Sequence, residues 1–119
     1  MSEFGYCPGV FQPLLVENRG AIFMTAYVIA QLTITDPEGF EAYRAAVPEV
    51  IKAHGGRYLV RGGAISNLEG ELERPRVIVL EFPDKAAAEA FYNSPEYQAI
   101  LPLRLNSATG SVTIVEGGV

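Results

Sequence analysis

Cysteine is nearly missing from this 119-residue chain, and tryptophan is missing altogether. The single Cys7 has no partner for a disulfide within one chain. With His54 as the only histidine, the soft ligands of a closed zinc site are lacking too, so no metal is expected. There is no basic run: nine Lys and Arg stand against fourteen Asp and Glu, a formal net charge of −5. Such a balance gives no electrostatic attraction to phosphate backbones or anionic lipid, and argues against nucleic-acid and membrane partners. No stretch approaches the roughly 18 consecutive apolar residues that span a bilayer. Met1-Ser2-Glu3 lacks the positive start of a secretory signal, and low cysteine usage fits a reducing compartment, so the expected location is cytoplasmic. GxSxG, P-loop and GxGxxG patterns do not occur, and no cofactor is expected.

What is present is globular in composition, with 49% apolar and 19% charged residues, in a chain long enough to bury one core. Residues 1–24 differ from the rest: Gly5, Pro8, Gly9, Pro13 and Gly20 punctuate them, and their apolar residues follow neither strand nor helix period. They read either as an addition upstream of a start at Met24 or as an arm that packs on a partner. Residues 25–119 read as one domain.

A strand runs from Ala26 to Ile34, rich in β-branched residues. Asp36-Pro37-Glu38 starts a helix with a cap, a proline at the first turn and an acid favourable to the dipole. Phe40, Tyr43, Val47, Val50 and Ile51 form its apolar stripe, Pro48 should kink it, and Gly55 ends it. Arg57 to Gly62 reads as a second strand that a bulge at Gly62-Gly63 could carry on to Glu69. Arg76 to Phe82 is the third. Asp84 caps a second helix ending at Asn93, Ser94-Pro95-Glu96 opens a third through about Leu105, and Ser111 to Glu116 forms the last strand. The expected fold is α+β: ferredoxin-like βαββαβ, a four-stranded antiparallel sheet with helices on one face.

Side chains alternate between the two faces of a strand. The even set (Val28, Ala30, Leu32; Tyr58, Val60, Gly62; Ile78, Leu80, Phe82) is apolar and should face the helices. The odd set (Tyr27, Ile29, Gln31, Thr33; Arg57, Leu59, Arg61; Val77, Val79, Glu81) is mixed. Helices of one chain cannot cover both faces, so the odd face calls for a second copy, a homodimer with a partly polar enclosed space.

Across residues 26–117 the sequence resembles the family known as domain of unknown function 1330. The resemblance lies in Asp36-Pro37 and Tyr43, the run Gly55-Gly56-Arg57-Tyr58-Leu59-Val60-Arg61-Gly62-Gly63, Leu68-Glu69-Gly70, and the strand Val77 to Phe82. Phe91-Tyr92-Asn93-Ser94-Pro95-Glu96-Tyr97-Gln98, Arg104 and Val115-Glu116-Gly117 complete it. It implies a dimeric α/β barrel whose sheets close face to face, and supplies no activity. Related superfamily members include cofactor-independent monooxygenases, haem-degrading enzymes and small isomerases and lyases.

The residues themselves offer a short list. Arg61 and Glu81, both odd-numbered, are the candidate catalytic pair, a carboxylate beside a guanidinium, although Arg61 should lie nearer Val77 than Glu81. Tyr97 and Arg104, seven residues apart on the third helix, are candidate ligand contacts with Tyr92, and Glu69 could fold over a cavity mouth. The competing structural readings are ion pairs, snorkelling and core packing. His54 reads as a helix-end residue. Two functions follow: a metal-free enzyme acting on a small organic molecule, or a non-catalytic dimeric module that binds a metabolite or supports structure.

Overall fold

Antiparallel pairing organises the chain: a computed structural model describes residues 24–117, and the expectations for residues 1–23 and 118–119 lie outside the described residues. The order is β1 (Ala26–Ile34), α1 (Pro37–Ala53), β2 (Arg57–Arg61), β3 (Arg76–Phe82), α2 (Lys85–Asn93), α3 (Pro95–Leu105) and β4 (Ala108–Glu116). The sheet order is β2-β3-β1-β4, with every neighbouring pair antiparallel. This is the ferredoxin-like arrangement, with α3 added before the last strand.

Register explains the two faces. Val28 stands between Leu80 and Ile114, and Ala30 between Ile78 and Val112. Ala26, Val28, Ala30, Leu32, Leu80 and Phe82 are buried together with Phe40, Tyr43, Val47 and Ile51 of α1, Ala88 and Phe91 of α2, and Tyr97 and Leu101 of α3. All three helices therefore cover the even face. On the other face Tyr27 stands between Glu81 and Val115, and Ile29 between Val79 and Thr113.

Local chemistry sets the helix ends. Asp36 precedes α1, yet its carboxylate makes no capping bond; its carbonyl accepts from Phe40 N at 2.9 Å. The helix runs unbroken through Pro48 and closes on His54, whose Nδ1–H donates to Val50 O at 3.0 Å. Asp84 caps α2 by accepting from Ala87 N at 2.8 Å. Ser94 serves two helices: its Oγ donates to Phe91 O at 2.8 Å, ending α2, and accepts from Tyr97 N at 3.1 Å, starting α3.

Two strand boundaries differ from expectation. β4 begins at Ala108 rather than Ser111, because Gly110 takes φ 152° and lets the strand continue past Leu32; a Cβ there would run into the Gln31 carbonyl. The second strand does not continue beyond Arg61. Gly62, at φ 75°, donates to Val77 O and turns the chain out of the sheet. Residues 63–75 form no strand.

Candidate functional site

The bulge expected at Gly62-Gly63 sits three residues earlier. Tyr58 stands opposite Leu80, but Val60, not Leu59, stands opposite Val79. One inserted residue moves every later side chain to the other face. Arg61 consequently pairs with Ile78 on the helix side, and its guanidinium carbon lies 4.2 Å from the centre of the Tyr58 ring. The expectation that Arg61 shares the open face with Glu81 is corrected by this geometry. Glu81 keeps that face, and Arg57, directly opposite in register, donates from Nε to Glu81 Oε1 at 2.6 Å. Val60, assigned to the helix side by parity, is 40% exposed instead. Glu69 lies in the exposed 63–75 connection, among Ile65, Leu68 and Leu72, and borders neither of the helix-side cavities described next.

The other expected residues do come together, on the helix side. Tyr97 and Arg104 are buried, 2% and 6% exposed. Seven residues apart they share one face of α3, and Arg104 Nε donates to Tyr97 Oη at 3.3 Å. Tyr97 Oη also meets Tyr43 Oη at 2.9 Å, across from α1. Burial holds the Tyr43 phenol far above its ordinary value of 10.0, reinforced by Tyr97 and opposed by Arg104. Burial likewise raises Tyr58, with Arg61 and Arg44 pulling the other way. Both phenols are thus neutral at physiological pH and act as hydrogen-bonding groups. Tyr97 packs between Phe91 and Tyr92, with ring centres 4.7 and 5.3 Å away.

Between α2, α3 and the inner side of β4 lies a groove of about 490 Å³. Its walls are Val28, Ala88, Phe91, Val112 and Ile114; Tyr92 and Arg104 supply polar atoms, and Lys85, Glu89 and Asn93 also line it. A second space of about 40 Å³ lies deeper, bordered by Tyr43, Tyr58 and Tyr97. Tyr92 and Arg104 border both. Among the described residues, no three His, Cys, Asp or Glu side chains are grouped to hold a metal ion, and no helix is long and apolar enough to cross a membrane.

Sequence reasoning missed Tyr43 and Tyr58 as members of this cluster. Tyr43 sat on an apolar stripe, and the signal available was its hydroxyl, which cannot be buried without a partner. Tyr58 sat on the inner parity of an edge strand for the same reason.

The model of the family described as domain of unknown function (DUF1330) matches residues 25–118. No curated protein matches the chain. Among solved structures, the chain is similar to a protein of unknown function from Rhodopseudomonas palustris (17% identity, 78% of this chain and 80% of that one, TM-score 0.63). A dimeric ferredoxin-like protein of unknown function from Jannaschia sp. CCS1 shares 20% identity over 80% of this chain and 99% of that one, at TM-score 0.58. SnoaB, a cofactor-independent oxygenase from Streptomyces nogalater, shares 14% identity over 77% and 91%, at TM-score 0.53. These likenesses establish the fold.

Proposed function

This chain belongs to the DUF1330 family, and from that premise we propose that it is a homodimer whose helix-side groove binds a small organic molecule without a metal. The observation that carries the reading is the groove: a largely apolar trough of about 490 Å³ bordered by the buried Arg104, whose Nε is held from behind by the Tyr97–Tyr43 hydroxyl pair. Apolar walls with a few fixed polar groups are what small-molecule sites are built from. Glu81 stands on the opposite face and has no role in this groove. Arg61 lies over Tyr58, a residue that borders the deeper space, and so bears on a tyrosine ring and not on a carboxylate.

The dimer follows from the open face, where Tyr27, Ile29, Val77 and Val79 are only half-buried and Leu59 and Val115 are 44% and 45% exposed. Covering such side chains is worth roughly 1.5–3 kcal/mol each at full burial, before association costs. An identical face supplies the matching surface, and the fold neighbour from Jannaschia is described as dimeric.

Methyl-resolved NMR tests the site. A panel of one- and two-ring aromatic compounds is expected to shift the methyls of Val28, Val112 and Ile114. Shifts confined to Val77 and Val79, on the other face, would reject it.

A second reading, turnover in the same groove, is favoured by one observation. Tyr97 Oη, in the deeper space that adjoins the groove at Tyr92 and Arg104, accepts from Arg104 Nε, so its hydroxyl proton is directed to Tyr43 or to a ligand group that reaches that space.

A further inference from the structure

We infer that the groove's ligand is an apolar acid, a flat hydrocarbon body bearing a single carboxylate or phenolate that docks on Arg104. The inference rests on the helix-side groove being a ligand site, and it names what that site selects.

Arg104 is the starting point. Its guanidinium is charged at every accessible pH and carries five N–H donors, but the residue is only 6% exposed. Nε is satisfied by Tyr97 Oη at 3.3 Å, a neutral acceptor. Among the described residues no carboxylate lies within ion-pair distance, and the Nη end of the fork has no hydrogen-bond partner. A guanidinium on a mostly buried residue, whose Nη atoms reach water only through the groove it borders, gains when an anion faces it, and its planar fork matches a carboxylate held by two parallel bonds. Because Nε is anchored by Tyr97, the fork is oriented in advance, and a ligand oxygen pair meets the two Nη groups end-on.

The charges around the groove indicate one negative charge rather than two. Three lining residues are charged: Lys85, Glu89 and Arg104. Lys85 and Glu89 are four apart on α2 and offset one another, which leaves Arg104 as the net charge. Apart from the Asn93 amide and the Tyr92 hydroxyl, the remaining wall is mostly hydrocarbon and aromatic, so most of the ligand body is apolar. Size sets its reach. The groove follows α2 from Lys85 to Asn93, nine residues or about 13 Å of helix. Its 490 Å³ falls in the range that encloses a drug-sized molecule. The flanking Phe91 and Tyr92 rings favour a planar body.

Calorimetric titration of the full-length protein with naphthoate and with naphthamide, a neutral molecule of nearly the same shape, tests this, alongside the methyl shifts of Val112 and Ile114. Naphthoate is expected to bind at least about tenfold tighter, as a charged hydrogen-bond pair implies, and Arg104→Gln is expected to abolish the preference. Equal binding of both compounds at those methyls would overturn the acid assignment while leaving the groove as a ligand site. No binding of either up to millimolar concentration would overturn both. A preference for naphthoate that persists in folded Arg104→Gln would remove Arg104 as the receptor. Should that variant fail to fold, the wild-type comparison still decides between acid and neutral ligand.

Discussion

Tyr43 and Tyr97 each bury a hydroxyl among hydrocarbon, an arrangement that costs free energy unless both oxygens find partners. They find each other at 2.9 Å, and Tyr97 takes a second bond from Arg104. The consequence is visible in alkali. Below pH 10, Tyr43 is protonated both folded and unfolded and contributes nothing to pH dependence. Above it the unfolded chain releases the proton while the folded protein, whose phenol is raised by burial, retains it. The native state then binds more protons, so stability falls as pH rises past the ordinary tyrosine value. Urea midpoints should therefore be level from pH 7 to 9 and decline above 10, with a shallower decline in Tyr43→Phe; an identical alkaline slope in the variant would contradict the burial argument. By contrast Arg57–Glu81 is a pair whose side chains are 70% and 24% exposed, and contacts of that kind contribute little. At this scale sequence marked Tyr97 and Arg104 as belonging together, since a seven-residue spacing is a property of any helix. It could not mark Tyr43 as their partner, because that contact spans 54 positions.

At the scale of elements, two places decide how neighbours meet: Ser94, between α2 and α3, and the bulge of β2 against β3. Ser94 is 6% exposed and bonds both to the end of α2 and to the start of α3. Ser94→Ala leaves Tyr97 N without its cap and removes one of the two donors to Phe91 O, which keeps the backbone N–H of residue 94, so a loss of about 1–2 kcal/mol is expected from urea denaturation. A loss no larger than a few tenths would show that water replaces the hydroxyl. The Ser-Pro-Glu pattern made this junction legible, because a helix start is written in consecutive residues. The bulge was not legible in the same way. Whether the extra residue of β2 falls at Leu59 or at Gly62 depends on how the strand meets β3, and Gly62 instead acts as the turn that ends pairing. That one-residue difference carries Arg61 from the open face to Tyr58, and leaves Glu81 to Arg57.

For the whole molecule, one sheet face is buried under three helices and the other is left half-covered. Wild-type protein in light scattering is expected at twice the 12.9 kDa chain mass. Ile29→Lys, at the middle of β1 between Val79 and Thr113, is expected to give single chains at micromolar concentration, because an unpaired ammonium would be buried on both sides of a twofold contact. A wild-type protein of single-chain mass would remove the dimer. The groove, by contrast, is built within one protomer, so Ile29→Lys is expected to retain binding there.

Sequence by itself determined the element order, the antiparallel ferredoxin-like sheet and which face of β1 and β3 is apolar, because capping, helical period and strand alternation are local and repeat within a few residues. Tertiary structure alone decided which charges share a face. A register shift of one residue inverts a strand's two sides, and its position depends on the neighbouring strand. The same holds for the groove: its walls come from β1, α2, α3 and β4, and only their packing shows that the buried guanidinium of Arg104 borders an apolar space large enough to hold an organic molecule.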